Sequence, residues 1–184
     1  MKKISIIELH THVEVLISTL EIFKNSVYEL YVFISDHIWQ KIPSSLRNDP
    51  NFTFFCPEGS DIKKFISNNL TLINQTNLLI LNTLPYYSKF LNTCHFDPPV
   101  MVRVHSANSL FDNFTNRSVY NLFKICSLNN LWYIFKLNCI KHEHHFRKKF
   151  LKNKATIFSF PGSKILEYMQ SKTNLPGNKK YVVI

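Results

Sequence analysis

The chain is 184 residues long and 45% hydrophobic, enough for one domain with a sizeable core. Its 22 Lys and Arg against 12 Asp and Glu give a formal charge of +10, which favours an anionic partner, whether nucleic acid, an acidic membrane face or a phosphorylated small molecule. With Gly59, Gly162 and Gly177 as its only glycines, it excludes the Gly-x-Gly-x-x-Gly fingerprint, the Walker loop and a Gly-x-Ser-x-Gly elbow, and with them a standard dinucleotide dehydrogenase, P-loop ATPase or α/β-hydrolase.

The opening "MKKISIIELHTH" has a basic start, but Glu8 and His10 break its apolar run before a signal-peptide core forms. No stretch approaches the uninterrupted apolar length of a membrane span, so a cytoplasmic protein is expected. Lys3 to Leu9 reads as a first strand. A helix follows, on which Val13, Leu16, Ile17, Leu20 and Phe23 share a face at helical spacing. "YELYVFIS" from Tyr28 is a second strand and "NFTFFC" from Asn51 a third. Ser60 or Asp61 then caps a helix that aligns Ile62, Phe65, Ile66 and Leu70.

"NLLILNTL" is a fourth strand, Pro85 opens a short helix through "YYSKFL", and "PVMVRVHS" is a fifth strand. Residues 118 to 151 have a mostly helical pattern. "ATIFSF" makes a sixth strand, "SKILEYMQSKT" a helix, and "KKYVVI" a seventh strand whose β-branched run after Pro-Gly reads as entering the core. Strands alternating with helices imply βαβ crossovers. The expected fold is α/β: one Rossmann-like, doubly wound domain over 1–184, with a mostly parallel sheet of about seven strands and helices on both faces.

Cys56, Cys94, Cys126 and Cys139 are far apart, without any Cys-x-x-Cys, and read as buried free thiols. Ligands of an open parallel sheet bind beyond the carboxyl ends of its strands, where loops and helix amino termini converge. The residues just past each strand therefore form the candidate site. They are His10, His12 and Glu14, then Asp36 and His37, Glu58, Thr83, the group His105, Ser106 and Asn108, and finally Ser163. Polar loops and caps account for such an enrichment on their own, and for any single residue theirs is the leading reading. His105 stands apart because it ends the apolar run "VMVRV", where an imidazole can contact a phosphate or sugar hydroxyl or orient a reacting group.

"HTHVE" and "HEHHFRKK" are metal-like in composition, but neither spacing closes a ligand set, so no metal site and no bound cofactor are expected. The late basic cluster, Arg147, Lys148, Lys149, Lys152 and Lys154, is interleaved with Phe146 and Phe150. It reads either as a solvated helix face or as a surface for an anionic membrane or nucleic acid, the last being disfavoured.

The terminal stretch "ATIFSFPGSKILEYMQSKTNLPGNKKYVVI" resembles the end of the amino-terminal domain in GT4-type glycosyltransferases of the GT-B fold. More loosely, "ISIIELHTHVEVLISTLEIFK" with "YELYVFISD" is similar to that family's opening strand, helix and strand. "LLILNTLPYYSKFL" with "PVMVRVHSANSL" is similar to the pair that precedes a functional histidine.

The resemblance implies a hexosyltransferase of the kind used in polysaccharide biosynthesis. This domain would hold a glycan or lipid-linked acceptor, and His105 would lie near the transferred sugar. The nucleotide-sugar donor would be gripped by a carboxyl-terminal domain that is absent from these residues or supplied by a partner chain. Ile184 would then be where the first sheet ends, and the chain alone would be inactive. A departure is the first loop, where many members carry a glycine pair and this chain has "HTHVE". The competing expectation is a non-catalytic module whose basic surface binds nucleic acid, a membrane or a partner protein.

Overall fold

A computed structural model describes residues 2–9, 12–57, 61–83, 88–103, 145–146, 148–172 and 177–183. Seven strands form one sheet: β1 (Lys2–Glu8), β2 (Tyr28–Ile34), β3 (Phe52–Phe55), β4 (Leu78–Leu81), β5 (Val100–Arg103), β6 (Ile157–Phe160) and β7 (Lys180–Val183). Every pairing is parallel and the order is β3-β2-β1-β4-β5-β6-β7. This is the doubly wound Rossmann-like architecture, with the first strand inside the sheet and the order reversing between β1 and β4.

The strands are apolar on both faces because both faces are covered, as parallel sheets require. One face carries Ile7, Tyr31, Phe33, Leu79, Leu81, Val100, Val102, Phe158 and Phe160. It packs against Ile66 and Ile73 of α4 (Ile62–Asn74), Leu91 of α5 (Ser88–Leu91), and Phe150 and Leu151 of a helical segment at 148–153. The other face carries Ile4, Ile6, Leu30, Val32, Ile34, Phe52 and Ile80. Its cover is α1 (Val13–Phe23), α2 (Asp36–Trp39) and α3 (Ser44–Arg47). The face expected of α1, from Val13 to Phe23, is the one that packs. Asp61 caps α4 as expected, its Oδ1 accepting from the amides of Lys63 and Lys64 at 3.1 Å.

Two features differ from the sequence reading. The short helices α2 and α3 lie between β2 and β3, where four residues each are too few to show a period, yet they bury Ile38 and Leu46. β7 is an edge strand rather than a core strand: among the described residues it pairs with β6 alone, and Val183 is 45% exposed. It is held by Tyr181, whose ring stacks on Phe158 at 5.7 Å. α6 (Ser163–Lys172) connects β6 to β7. Among the described residues no helix is long and apolar enough to cross a membrane.

Candidate functional site

Four adjacent strands end their apolar runs with a polar residue on the α1 face. β1 ends in Glu8, β4 runs into Asn82, β5 ends in Arg103, and β6 carries Ser159 between Phe158 and Phe160. The register pairs Arg103 with Ser159. Carried one residue beyond Ile7, Leu81 and Val102, it also aligns Glu8, Asn82 and Arg103. A single polar row therefore crosses β1, β4, β5 and β6 near their carboxyl ends, the edge where parallel sheets place ligands.

Burial makes hydrogen bonding in this row obligatory. Glu8 and Asn82 have no exposed surface, and Ser159 is 2% exposed. The Asn82 amide donates to Glu8 Oε2 at 2.8 Å, and Thr83 Oγ1 donates to the same carboxylate at 3.0 and 3.1 Å. Asn82 Oδ1 in turn accepts a long bond from Arg103 Nη1 at 3.5 Å. The same Nη1 donates to Thr19 Oγ1 of α1, whose own hydroxyl donates to the Val15 carbonyl at 2.7 Å.

Asn82 thus bridges the buried carboxylate and the guanidinium, and no carboxylate among the described residues forms an ion pair with Arg103. Burial lowers the Arg103 pKa from its ordinary value, but a guanidinium remains a cation.

A cavity of about 520 Å³ opens beside this row, lined by His12, Glu14, Val15, Ser18, Arg103, Ser159 and Pro161. Its walls come from the first turns of α1 and from the ends of β5 and β6. His12 is the N-cap of α1 and makes no side-chain capping bond, so its imidazole does not close the helix end. Ser18 donates to the Glu14 carbonyl at 2.9 Å, so at the cavity its oxygen can act only as an acceptor. An arginine edge, a serine hydroxyl, an imidazole and a carboxylate around one recess can hold an oxyanion at one end and sugar hydroxyls at the other.

Of the residues singled out from sequence, the structure brings His12 and Glu14 to this cavity and Thr83 to the carboxylate behind it. Asp36 and His37 are exposed on α2, where Asp36 helps burial raise the pKa of Cys56. Ser163 is exposed at the start of α6, just past Pro161, and does not line the recess. His10, Glu58, His105, Ser106, Asn108 and Arg147 lie outside the described residues.

In the basic cluster Lys149 and Lys152 are exposed, while Lys148 and Lys154 are half-buried. Phe150 is fully buried, so it is a core residue and not a stacking platform for bases. The Phe146 ring receives Lys89 Nζ at 5.5 Å, and its carbonyl accepts from Asn92 at 2.8 Å. Cys56 and Cys94 are free thiols, Cys94 buried and Cys56 half-buried, and burial raises the pKa of both. Among the described residues, no three His, Cys, Asp or Glu side chains converge as metal ligands.

Sequence reasoning missed Arg103, Asn82, Ser159 and Thr19, and saw Glu8 only as a break in an apolar run. The available signal was a polar side chain at the carboxyl end of an apolar strand in "ISIIE", "LLILN" and "VMVR".

No protein-family profile matches the chain. No curated protein matches it. Among solved structures, a short-chain dehydrogenase from Oenococcus oeni PSU-1 is similar at a TM-score of 0.42, with 10% identity over 98% of this chain and 95% of that one.

Proposed function

We propose that this chain is the acceptor-side domain of a GT-B glycosyltransferase. It holds a glycan or lipid-linked acceptor while a sugar is moved from a nucleotide-sugar donor. The observation that supports this reading is the cavity at the carboxyl edge of the parallel sheet, between the α1 amino terminus and the ends of β5 and β6. The resemblance puts the acceptor in this domain, and the carboxyl edge is where an open parallel sheet binds its ligands. His105 follows β5 in the chain, two residues beyond the cavity-lining Arg103, and takes the role next to the transferred sugar.

In the transfer, the acceptor oxygen bonds to the anomeric carbon as that carbon's bond to the donor diphosphate breaks. The hydroxyl proton passes to a base, and the nucleoside diphosphate leaves. The donor is gripped by a second Rossmann-like unit, in the same polypeptide or in a partner chain, and this domain alone is inactive. Exposed Lys149 and Lys152 give it a peripheral contact with an anionic membrane that carries the acceptor.

The test is transfer of radiolabelled sugar from a nucleotide-sugar panel to lipid and glycan acceptors, with this chain alone and joined to its donor unit. Transfer only in the joined form, abolished by His105→Ala, is expected. Transfer unaffected by that substitution, or absent with every donor unit and acceptor, overturns the proposal and leaves a non-catalytic binding module in its place.

A further inference from the structure

Two polar groups at the cavity have capacity that the fold does not use. Arg103 commits Nη1 to Thr19 and Asn82, while its Nε and Nη2 donors have no acceptor among the described residues. That edge of the guanidinium is the fork that meets two oxygens of an oxyanion side by side. Ser159 is 2% exposed, and its hydroxyl has no hydrogen-bond partner among the described residues. Among the described residues the buried side-chain atoms left without a partner are Ser5 Oγ and Arg47 Nε, so the Ser159 hydroxyl is not sealed in the core but open to the recess it lines, where a ligand oxygen can bond it. Both side chains line the same recess, and the register makes them direct neighbours across β5 and β6.

The remaining wall narrows the ligand. The first turn of α1 meets the recess at Glu14 and Val15, with no side-chain capping bond from the N-cap His12, and adds the positive end of an eleven-residue helix. Donors then approach from the strand ends and from the helix, an arrangement that suits a tetrahedral oxyanion better than a planar carboxylate. The Glu14 carboxylate and Ser18 oxygen on the same wall accept hydrogen bonds and disfavour a second negative charge. A polyhydroxylated or apolar remainder beside one phosphate fits them.

From this geometry we infer that the cavity binds the phosphate group of a phosphorylated ligand, with Arg103 and Ser159 as its direct contacts. The inference rests on the acceptor-domain reading only in identifying the ligand with the acceptor; the binding itself does not need transfer.

Calorimetric titration of the full chain with glucose 1-phosphate, farnesyl phosphate and glucose tests it. At least one phosphate is expected to bind while glucose does not, and the tighter of the two distinguishes a soluble from a lipid carrier. Arg103→Lys, which keeps the charge and loses the fork, is expected to weaken binding by about tenfold. Ser159→Ala is expected to weaken it several-fold, and Lys149→Ala with Lys152→Ala to leave it unchanged. If Arg103→Lys does not fold, the Arg103 Nε–H proton resonance of the unaltered chain replaces it, shifting on phosphate addition and not on glucose addition.

Glucose binding as tightly as its phosphate, or the two surface lysines mattering as much as Arg103, overturns the inference. So does failure of both phosphates to bind. A chain that binds phosphate yet never supports transfer breaks the transferase reading alone. One that supports transfer to a neutral acceptor without binding phosphate breaks this inference alone.

Discussion

The two faces of the sheet are built to different ends. The face under α4, α5 and the 148–153 segment is aromatic: Phe33 stacks on Phe55 at 4.8 Å, Phe158 stacks on Tyr181, and Phe65, Phe96 and Phe150 close around them. The face under α1 is equally apolar through Ile6, Val32 and Ile80 but changes at the carboxyl edge to Glu8, Asn82, Arg103 and Ser159. A fold that buries a carboxylate and half-buries a guanidinium accepts a desolvation cost that hydrophobic residues would avoid. The aromatic face carries stability; the α1 face gives some of it up to position a charge.

The largest effect should come from the aromatic face. Phe158→Ala removes a fully buried ring from the middle of that stack and is expected to cost about 3–5 kcal/mol in denaturant unfolding. Comparable loss from Ile17→Ala, a partly buried residue on the opposite side, would erase the contrast.

On the α1 face, Glu8→Ala leaves the Asn82 amide and Thr83 hydroxyl without their acceptor and should cost about 1–3 kcal/mol. Unlike Phe158→Ala, it should also disturb Arg103, which a change in the Arg103 Nε–H resonance would report. Destabilisation without any change at Arg103 would mean that the polar row does not act as a unit.

Burial raises the ionisations of Cys56, Cys94 and Tyr181, so the folded chain holds these protons more tightly than the unfolded one. Their contribution is complete below the unfolded thiol pKa, near 9.0, and is lost as pH rises through the raised folded values. Stability measured from pH 8 to 11 should therefore fall from about pH 9 upward. A flat profile, or one unchanged by Cys94→Ala, would contradict this.

The smallest effect should be at the α4 cap. Asp61→Ala removes the acceptor of two amide hydrogen bonds at an exposed helix end and is expected to cost about 1 kcal/mol, read as a shift in unfolding midpoint at constant slope.

The strands and their parallel arrangement were legible in the sequence because each is a short apolar run bounded by turn residues. The face of α1 was legible because its period is unbroken from Val13 to Phe23. The polar row was not, although each member is visible as an out-of-pattern residue. Its alignment depends on the register between strands far apart in the chain, such as Arg103 beside Ser159, which no local pattern encodes. His12 and Glu14 were found because they follow the first strand closely, at the start of α1, whereas Asp36 and Ser163 follow the same rule and do not line the recess. Position past a strand selects an edge of the sheet, and only the register selects a place along it.

β5 and β6 are neighbours in the sheet, yet residues 104–156 separate them, the longest stretch between strands that follow one another in the chain. β1 and β4 lie farther apart, across residues 9–77, but β2 and β3 add to β1 on the way and shorten that closure. No strand among the described residues lies between β5 and β6, so the full cost of closing that loop must be met before the β5–β6 ladder returns anything. Refolding should therefore assemble β1 to β5 first and dock β6 with β7 last. Amide protection at Phe158 should appear later than at Ile6 in pulse-labelled exchange. Because Ser159 arrives with β6, the cavity is the last part of the molecule to form, and a chain arrested before that step would be compact but unable to hold a ligand there.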